Sequence, residues 1–450
     1  MTPRRAARGF ATVLGLALIG TAFLPFSAMA ASEPSVVATV TVGTSPTAVA
    51  ITPDGTKAVV ANYDSASISI IDIQAATSTT VAVGTSPTAV AITPDGQRAV
   101  VTNYGSGTAS IVSLTSNTVT NTVTLASGAR PGSVVISADG TRAFVADGGI
   151  GVNLIEQIVI ATATITGSVM ATLPGGLVMS PDGETVYATA AMSGQVKYFN
   201  TTTLAAGSIS LTGSAGTPAN SLAVSPDNST IYAVRGLGYQ LLSLLSASSH
   251  TLTSTSTVGT SPRDVAVRPD GARVYVTNGG DNTVSVLNST GTVLSTIPVG
   301  AGPDQVAFTP DGSYALVTND TSNTVSFINT ATESVEFTVN VGAGAKGLGI
   351  TASGTKALVL NYTAGTVSII NTPVTEVVGG PTAALQQYGI AQSGACGVSA
   401  PDSVLLPALG ESVRNYGWGS SWAQWPNRGQ GGYVCTRQPL YTTSGWLIAP

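Results

Sequence analysis

The stretch SPTAVAITPDG fills positions 45–55 and recurs letter for letter at 86–96, with six paraphrases after it. The residue closing each turn signal falls at Gly55, Gly96, Gly140, Gly183, Asn228, Gly271, Gly312 and Gly354, at intervals of 41 to 45 residues. Eight units of this length fit the period of propeller blades and are too long for most helical or leucine-rich repeats. Inside each unit apolar residues alternate with period two. In the first, TAVAIT, KAVVAN, SISIID and TTVAVG are separated by Gly, Asn, Asp, Ser or Pro, which predicts four strands. Asp-Gly tolerates the positive backbone angles of a tight hairpin, and Asn228 is the next best substitute.

A four-stranded antiparallel sheet that is apolar on both faces cannot stand alone in water. Stacked around an axis against similar sheets, it buries both faces and exposes only short edges. The sequence therefore predicts an all-β fold, a β-propeller of eight four-stranded blades. Small residues such as Ala48, Ala50 and Ala89 let neighbouring sheets approach, while Val49, Ile51, Val90 and Ile92 fill the space between them. VVATVTVG at 36–43 has the form of a fourth strand yet precedes the first complete unit. It is expected to close the ring by pairing with TVSIIN at 366–371, in competition with TPVTEVVG at 372–379.

VYVTNGGDNTVSVLN at 274–288 and ALVTNDTSNTVSFIN at 315–329 resemble the YVTN repeats of secreted and surface-layer β-propeller proteins. VVANYDSASISIID and VVTNYGSGTASIVS look like the same module. The resemblance spans about 36–378 and implies a propeller, most often of seven blades in that family, so seven is the alternative to the counted eight. It carries no specific activity. The motif Asn falls at Asn62, Asn103, Asn278, Asn319 and Asn361, where its side chain is expected to bond backbone in the turn between second and third strands. Asp147, Ala190 and Arg235 replace it in three units.

The first thirty residues read as an export signal. Arg4, Arg5 and Arg8 precede an apolar stretch from Phe10 to Phe26, and Ala28-Met29-Ala30 has the small-x-small form of a cleavage site. The Arg4-Arg5 pair admits twin-arginine as well as general export. No other apolar run reaches about 18 residues, so no membrane span is expected after cleavage and the mature chain is expected outside the cell. Charged residues are 9% of the chain and net charge is −5, which supplies no basic surface for nucleic acid. The domain boundaries read as 1–30 signal peptide, 31–378 propeller and 379–450 C-terminal module.

Propeller enzymes assemble His, Glu and Asp at the channel, as metal or quinone ligands or as proton-transfer groups. Here the single histidine, His250, lies beside a Ser/Thr-rich stretch and reads as a turn residue. The Asp of each Pro-Asp-Gly turn is a whole blade from the next, unlike calcium ligands, which converge on one point. No metal and no cofactor is expected. Residues following the Pro of each first strand should ring one channel mouth: Thr47, Thr88, Gly132, Gly175, Ala219, Arg263, Asp304 and Lys346. Arg263, Asp304 and Lys346, with Asp264 and Gln305 beside them, form a polar arc. It reads either as a site for a small polar or anionic ligand, with Arg263 and Lys346 as donors oriented by Asp304, or as a solvent-facing salt-bridge cluster.

After 381 the repeat stops. All four tryptophans, Trp418, Trp422, Trp425 and Trp446, lie in the last 33 residues, with Tyr433 among them, and the only cysteines are Cys396 and Cys435. In an exported chain this pair favours a disulfide, worth roughly 4 kcal/mol on the chain-entropy model. The aromatics either complete a small core or form a platform for sugar faces or another protein. The expected function is a non-enzymatic secreted or cell-surface interaction protein, with cell-wall polysaccharide or another surface protein as partner. The alternative is a propeller enzyme, a lactonase-like hydrolase or a quinone-dependent dehydrogenase, acting at the channel mouth.

Overall fold

The computed structural model describes residues 33–373, apart from 150, 191–192, 212–218 and 237, together with six two-residue strands between 399 and 448. Eight four-stranded sheets follow one another along the chain. The first blade takes Pro46–Ile51, Lys57–Asn62, Ser67–Asp72 and Thr77–Ala82, in that order from the inside out. Blades two to seven repeat the pattern, beginning at Pro87, Pro131, Pro174, Ser221, Pro262 and Pro303. Each innermost strand lies against that of the next blade, and the eighth, Ala345–Ile350, returns to the first. The count of eight holds.

Closure runs through both ends of the repeat region. Ser35–Thr41 is the outermost strand of the eighth blade and pairs antiparallel with Thr366–Asn371, Ser35 opposite Asn371 and Thr41 opposite Thr366. A strand from the N-terminal side thereby holds the last blade, so the ring opens only if that ladder breaks.

Period two explains why the sheets stack. On Lys57–Asn62, Ala58 and Val60 point into the seam with the eighth blade, while Val59 points into the seam with the second. On the next strand Ile71 joins the former seam, and Ile68 and Ile70 the latter. All eight seams hold such a cluster. Sheet-on-sheet burial, at roughly 25 cal/mol per Å² of apolar surface, is thus the main cohesive term all round the ring.

At one end of the ring sit the Pro-Asp-Gly turns. Asp54 Oδ1 accepts from Thr52 Oγ1 at 2.5 Å and from Thr56 N at 3.0 Å, while Thr52 Oγ1 accepts from Lys57 N at 3.0 Å. The same knot recurs around Asp95, Asp139, Asp182, Asp227 and Asp311. Gly55 takes φ +70°, as the closing turn requires, and Asn228 holds φ +59° in its blade. These aspartates organise hairpins.

Candidate functional site

The other end carries the connectors between blades and the turns between second and third strands. There the motif Asn is fully buried. Asn62 Nδ2 donates to Ser67 Oγ at 3.2 Å and Ser69 Oγ at 3.0 Å, and Asn103, Asn278, Asn319 and Asn361 make the same pair of bonds to Thr and Ser hydroxyls. This corrects the expectation of a bond to turn backbone. The Asn side chain lies on the same face as alternate residues of the third strand, so hydroxyls of that strand are its nearest partners. A glycine of the incoming connector completes the unit: a Cβ on Gly43, Gly84, Gly259, Gly300 or Gly342 would stand 2.6–2.7 Å from the Asn side chain.

Residues that follow a motif Asn lie beside residues at the start of first strands here, Gly279 beside Arg263 and both Asp320 and Tyr362 beside Lys346. Of the predicted polar arc, Arg263 and Asp304 engage each other, whereas Lys346, Asp264 and Gln305 take partners outside it. Arg263 Nη1 donates to Asp304 Oδ1 at 3.0 Å, so Asp304 does orient Arg263. Lys346 differs from the expectation: its Nζ lies 4.0 Å from Asp320 Oδ2 and 4.4 Å from the centroid of the Tyr362 ring. Asp320 was overlooked because it follows a motif Asn on the neighbouring blade. Asp264 bridges three blades, accepting from Ser221 Oγ at 2.6 Å and from Val306 N at 3.1 Å. Burial pushes its carboxyl above the ordinary carboxylate range, against the lowering effect of those two bonds. Gln305 Oε1 accepts from Leu348 N at 2.9 Å, another tie between successive inner strands. Both residues thus satisfy edge amides that face the channel.

A second feature of this end went unread. Tyr362, Tyr63 and Tyr104 follow the motif Asn on three consecutive blades, eight, one and two. Tyr63 and Tyr104 line a cavity of about 500 Å³ with Ser86, residues 105–107 and the connector 124–130. Arg130 reaches over it, its Cζ 5.4 Å from the Tyr104 centroid and its Nη1 3.3 Å from the Tyr104 hydroxyl. The Tyr104 hydroxyl raises the already high Arg130 pKa, so the guanidinium is a permanent cation. Asn-Tyr at 62–63 and 103–104 was the available signal.

Blade three departs from the repeat beside this cavity. Asp147 stands where five other blades carry Asn, and Glu156 where those five carry the buried Ser; both are buried. Asp147 Oδ1 accepts from Arg130 N at 2.7 Å and Gly149 N at 3.0 Å, and Glu156 Oε2 from Ala126 N at 3.4 Å. Burial pushes the Glu156 carboxyl up; the Ala126 bond opposes this and the Asp147 charge adds to it.

Elsewhere, His250 sits in a turn at φ +54° with its ring stacked on Tyr198, centroids 3.7 Å apart, so it is packed rather than merely solvated. Among the described residues no cluster of three or more His, Cys, Asp or Glu is placed to hold a metal ion, and no helix is long and apolar enough to cross a membrane. Trp418, Trp422, Trp425, Trp446, Cys396 and Cys435 lie outside the described residues, as do the export signal and the segment 374–398. Of Tyr433 only the backbone pairing with Ser399 is described.

Residues 220–336, blades five and six and most of seven, match the choice-of-anchor I domain. Among curated proteins none matches the chain. Among solved structures, a chain of Kuenenia stuttgartiensis hydrazine synthase shares the fold with TM-score 0.53 at 20% identity, covering 74% of this chain and 96% of its own. That likeness is one of fold. The described residues form an all-β, eight-bladed propeller, part of which is similar to the choice-of-anchor I domain.

Proposed function

We propose that this is a secreted or cell-surface interaction protein of the YVTN-repeat type, whose propeller presents a binding mouth without catalysis and whose segment 379–450 attaches it to the wall. The observation that carries the non-catalytic part is that every group of the polar arc already has a partner within the propeller. Arg263 is neutralised by Asp304 and Lys346 by Asp320, while Asp264 and Gln305 serve as acceptors for neighbouring strands. Catalysis needs a base or nucleophile aimed at a substrate atom, and each of these groups is held by a partner within the propeller. The similarity of 220–336 to the choice-of-anchor I domain supports a surface location. Attachment falls to the tail, where Trp418, Trp422, Trp425 and Trp446 offer flat faces for wall polysaccharide or a protein partner, and Cys396 with Cys435 a covalent brace.

Cell fractionation tests the reading. The full chain is expected in the wall fraction and a chain ending at Gly380 in the medium; equal retention of both overturns tail attachment. Within the tail, a Trp422→Ala/Trp425→Ala variant of the full chain is expected to lose most wall retention.

A further inference from the structure

We propose that the cleft bounded by Tyr63, Tyr104 and Arg130 binds an acidic carbohydrate, its sugar rings on the tyrosine faces and a carboxylate on the guanidinium. Three observations converge on it. The first is the chemistry. Two half-buried tyrosines share a cavity of about 500 Å³ with hydroxyl-bearing Ser86 and the glycine-rich turn 105–107, a volume within the roughly 300–1,000 Å³ of small-ligand sites. Flat aromatic faces beside hydroxyls and backbone amides suit the alternating apolar and polar faces of a sugar.

The second is the cation. Arg130 is exposed, carried by Tyr104, and takes part in none of the five ion pairs of the described residues. Arg263, on the opposite arc, is spent on Asp304. A guanidinium held by an aromatic ring and its hydroxyl, and in no ion pair among the described residues, is a planar receptor for carboxylate.

The third is what holds Arg130 in place. Its connector, 125–130, is two residues longer than 83–86, the corresponding connector one blade earlier. Both ends are fixed by buried carboxylates: Asp147 takes the Arg130 amide and Glu156 the Ala126 amide. Blades one, two, six, seven and eight fill these places with neutral Asn and Ser. Burying two carboxylates a few residues apart is unfavourable to stability. Their effect is to fix a loop whose exposed product is one arginine beside two tyrosines, which is how a binding site, rather than a seam, departs from its repeat.

The test is titration of the full chain in solution with a trisaccharide of galacturonic acid and a neutral glucose trisaccharide of equal length. The acidic sugar is expected to bind about tenfold or more tightly than the neutral one. Arg130→Ala should abolish that preference and Tyr63→Ala weaken both sugars, whereas Tyr104→Phe, which keeps the ring, should change affinity by only about two- to threefold. Arg98→Ala, which removes an exposed arginine outside both the cleft and the mouth, should leave binding unchanged. Acetate at matched carboxylate concentration should not displace the trisaccharide. Equal affinity for the two sugars, no binding of either, unchanged affinity in Arg130→Ala, an equal loss in Arg98→Ala, or displacement by acetate would each overturn the proposal. Because Arg130 is exposed and only its amide bonds Asp147, the Ala variant keeps the fold, which a thermal melt verifies. The readout is independent of wall retention, so it fails or succeeds apart from the tail's role.

Discussion

Blades one, two, six, seven and eight solve one local problem in one way, and blade three solves it differently. In the five, a buried Asn donates to two hydroxyls of the third strand and a connector glycine packs on its side chain. In blade three, Asp147 and Glu156 accept amides from a longer connector. The first arrangement is neutral, compact and self-contained; the second is charged and reaches outward to place a loop. Repetition therefore reports cohesion, and departure from it reports a task. The positions are equivalent in the fold, so exchanging their residues tests whether the difference is functional or accidental.

The largest effect is expected from that exchange. Asn319→Asp puts a carboxylate into a fully buried place with no cation and with hydroxyls that must turn to donate, and should cost about 3 kcal/mol at neutral pH. Asp147→Asn keeps an oxygen able to accept from both Arg130 N and Gly149 N, and should cost below about 1 kcal/mol. Urea midpoints at constant m-value check this. Equal costs would mean that the two blades are not differently built.

Next in size is the connector glycine. An alanine at Gly300 would stand 2.7 Å from Asn319 Cγ and 2.5 Å from Ser322 Oγ, closer than packed atoms come. Gly300→Ala should therefore cost about 1–3 kcal/mol. If the clash with Asn319 is the cause, the penalty should shrink in an Asn319→Ala background, giving a coupling above about 0.5 kcal/mol in a double-mutant cycle. At the corresponding place in blade three, Ala126 tolerates a Cβ, so Ala126→Gly should cost only backbone entropy, about 0.4–1 kcal/mol.

The contrast also marks what was legible in the sequence. Strand number, turn positions, eight blades and closure through Ser35–Thr41 depend on local signals, period two and Asp-Gly turns, which neighbours do not override. The partner of the motif Asn was misjudged because it depends on which face of the next strand the side chain shares. Lys346 was grouped with Asp304 by chain order, whereas across the seam Asp320 is its counter-ion. Tyr63, Tyr104 and Arg130 escaped notice because the mouth was read from first strands alone. Their signals were present in Asn-Tyr repeated on consecutive blades and in a connector two residues too long.

The smallest effect is a pH dependence, and its sign separates the two kinds of carboxylate. Asp54, Asp95, Asp139, Asp182 and Asp227 are lowered first of all by a hydroxyl of Thr52, Thr93, Ser137, Ser180 or Ser225, then by further turn hydrogen bonds, Asp139 to about 2. They bind fewer protons folded than unfolded, so their contribution is present above the ordinary aspartate range and is lost as pH falls through their lowered values. These turns are exposed and solvent-screened, so each adds little. Glu156 behaves in the opposite sense. Burial raises it, so the folded state holds its proton longer and stability declines as pH rises from about 4.5 through the raised value. Asp264, raised by burial as well, adds to that decline. Melting temperatures between pH 4 and 8 should therefore fall less in Glu156→Gln than in the native chain, while Asp139→Asn should soften only the acid limb. A Glu156→Gln profile parallel to the native one would mean that Glu156 titrates as an ordinary surface group, and the distinction between the two kinds of blade would lose its electrostatic half.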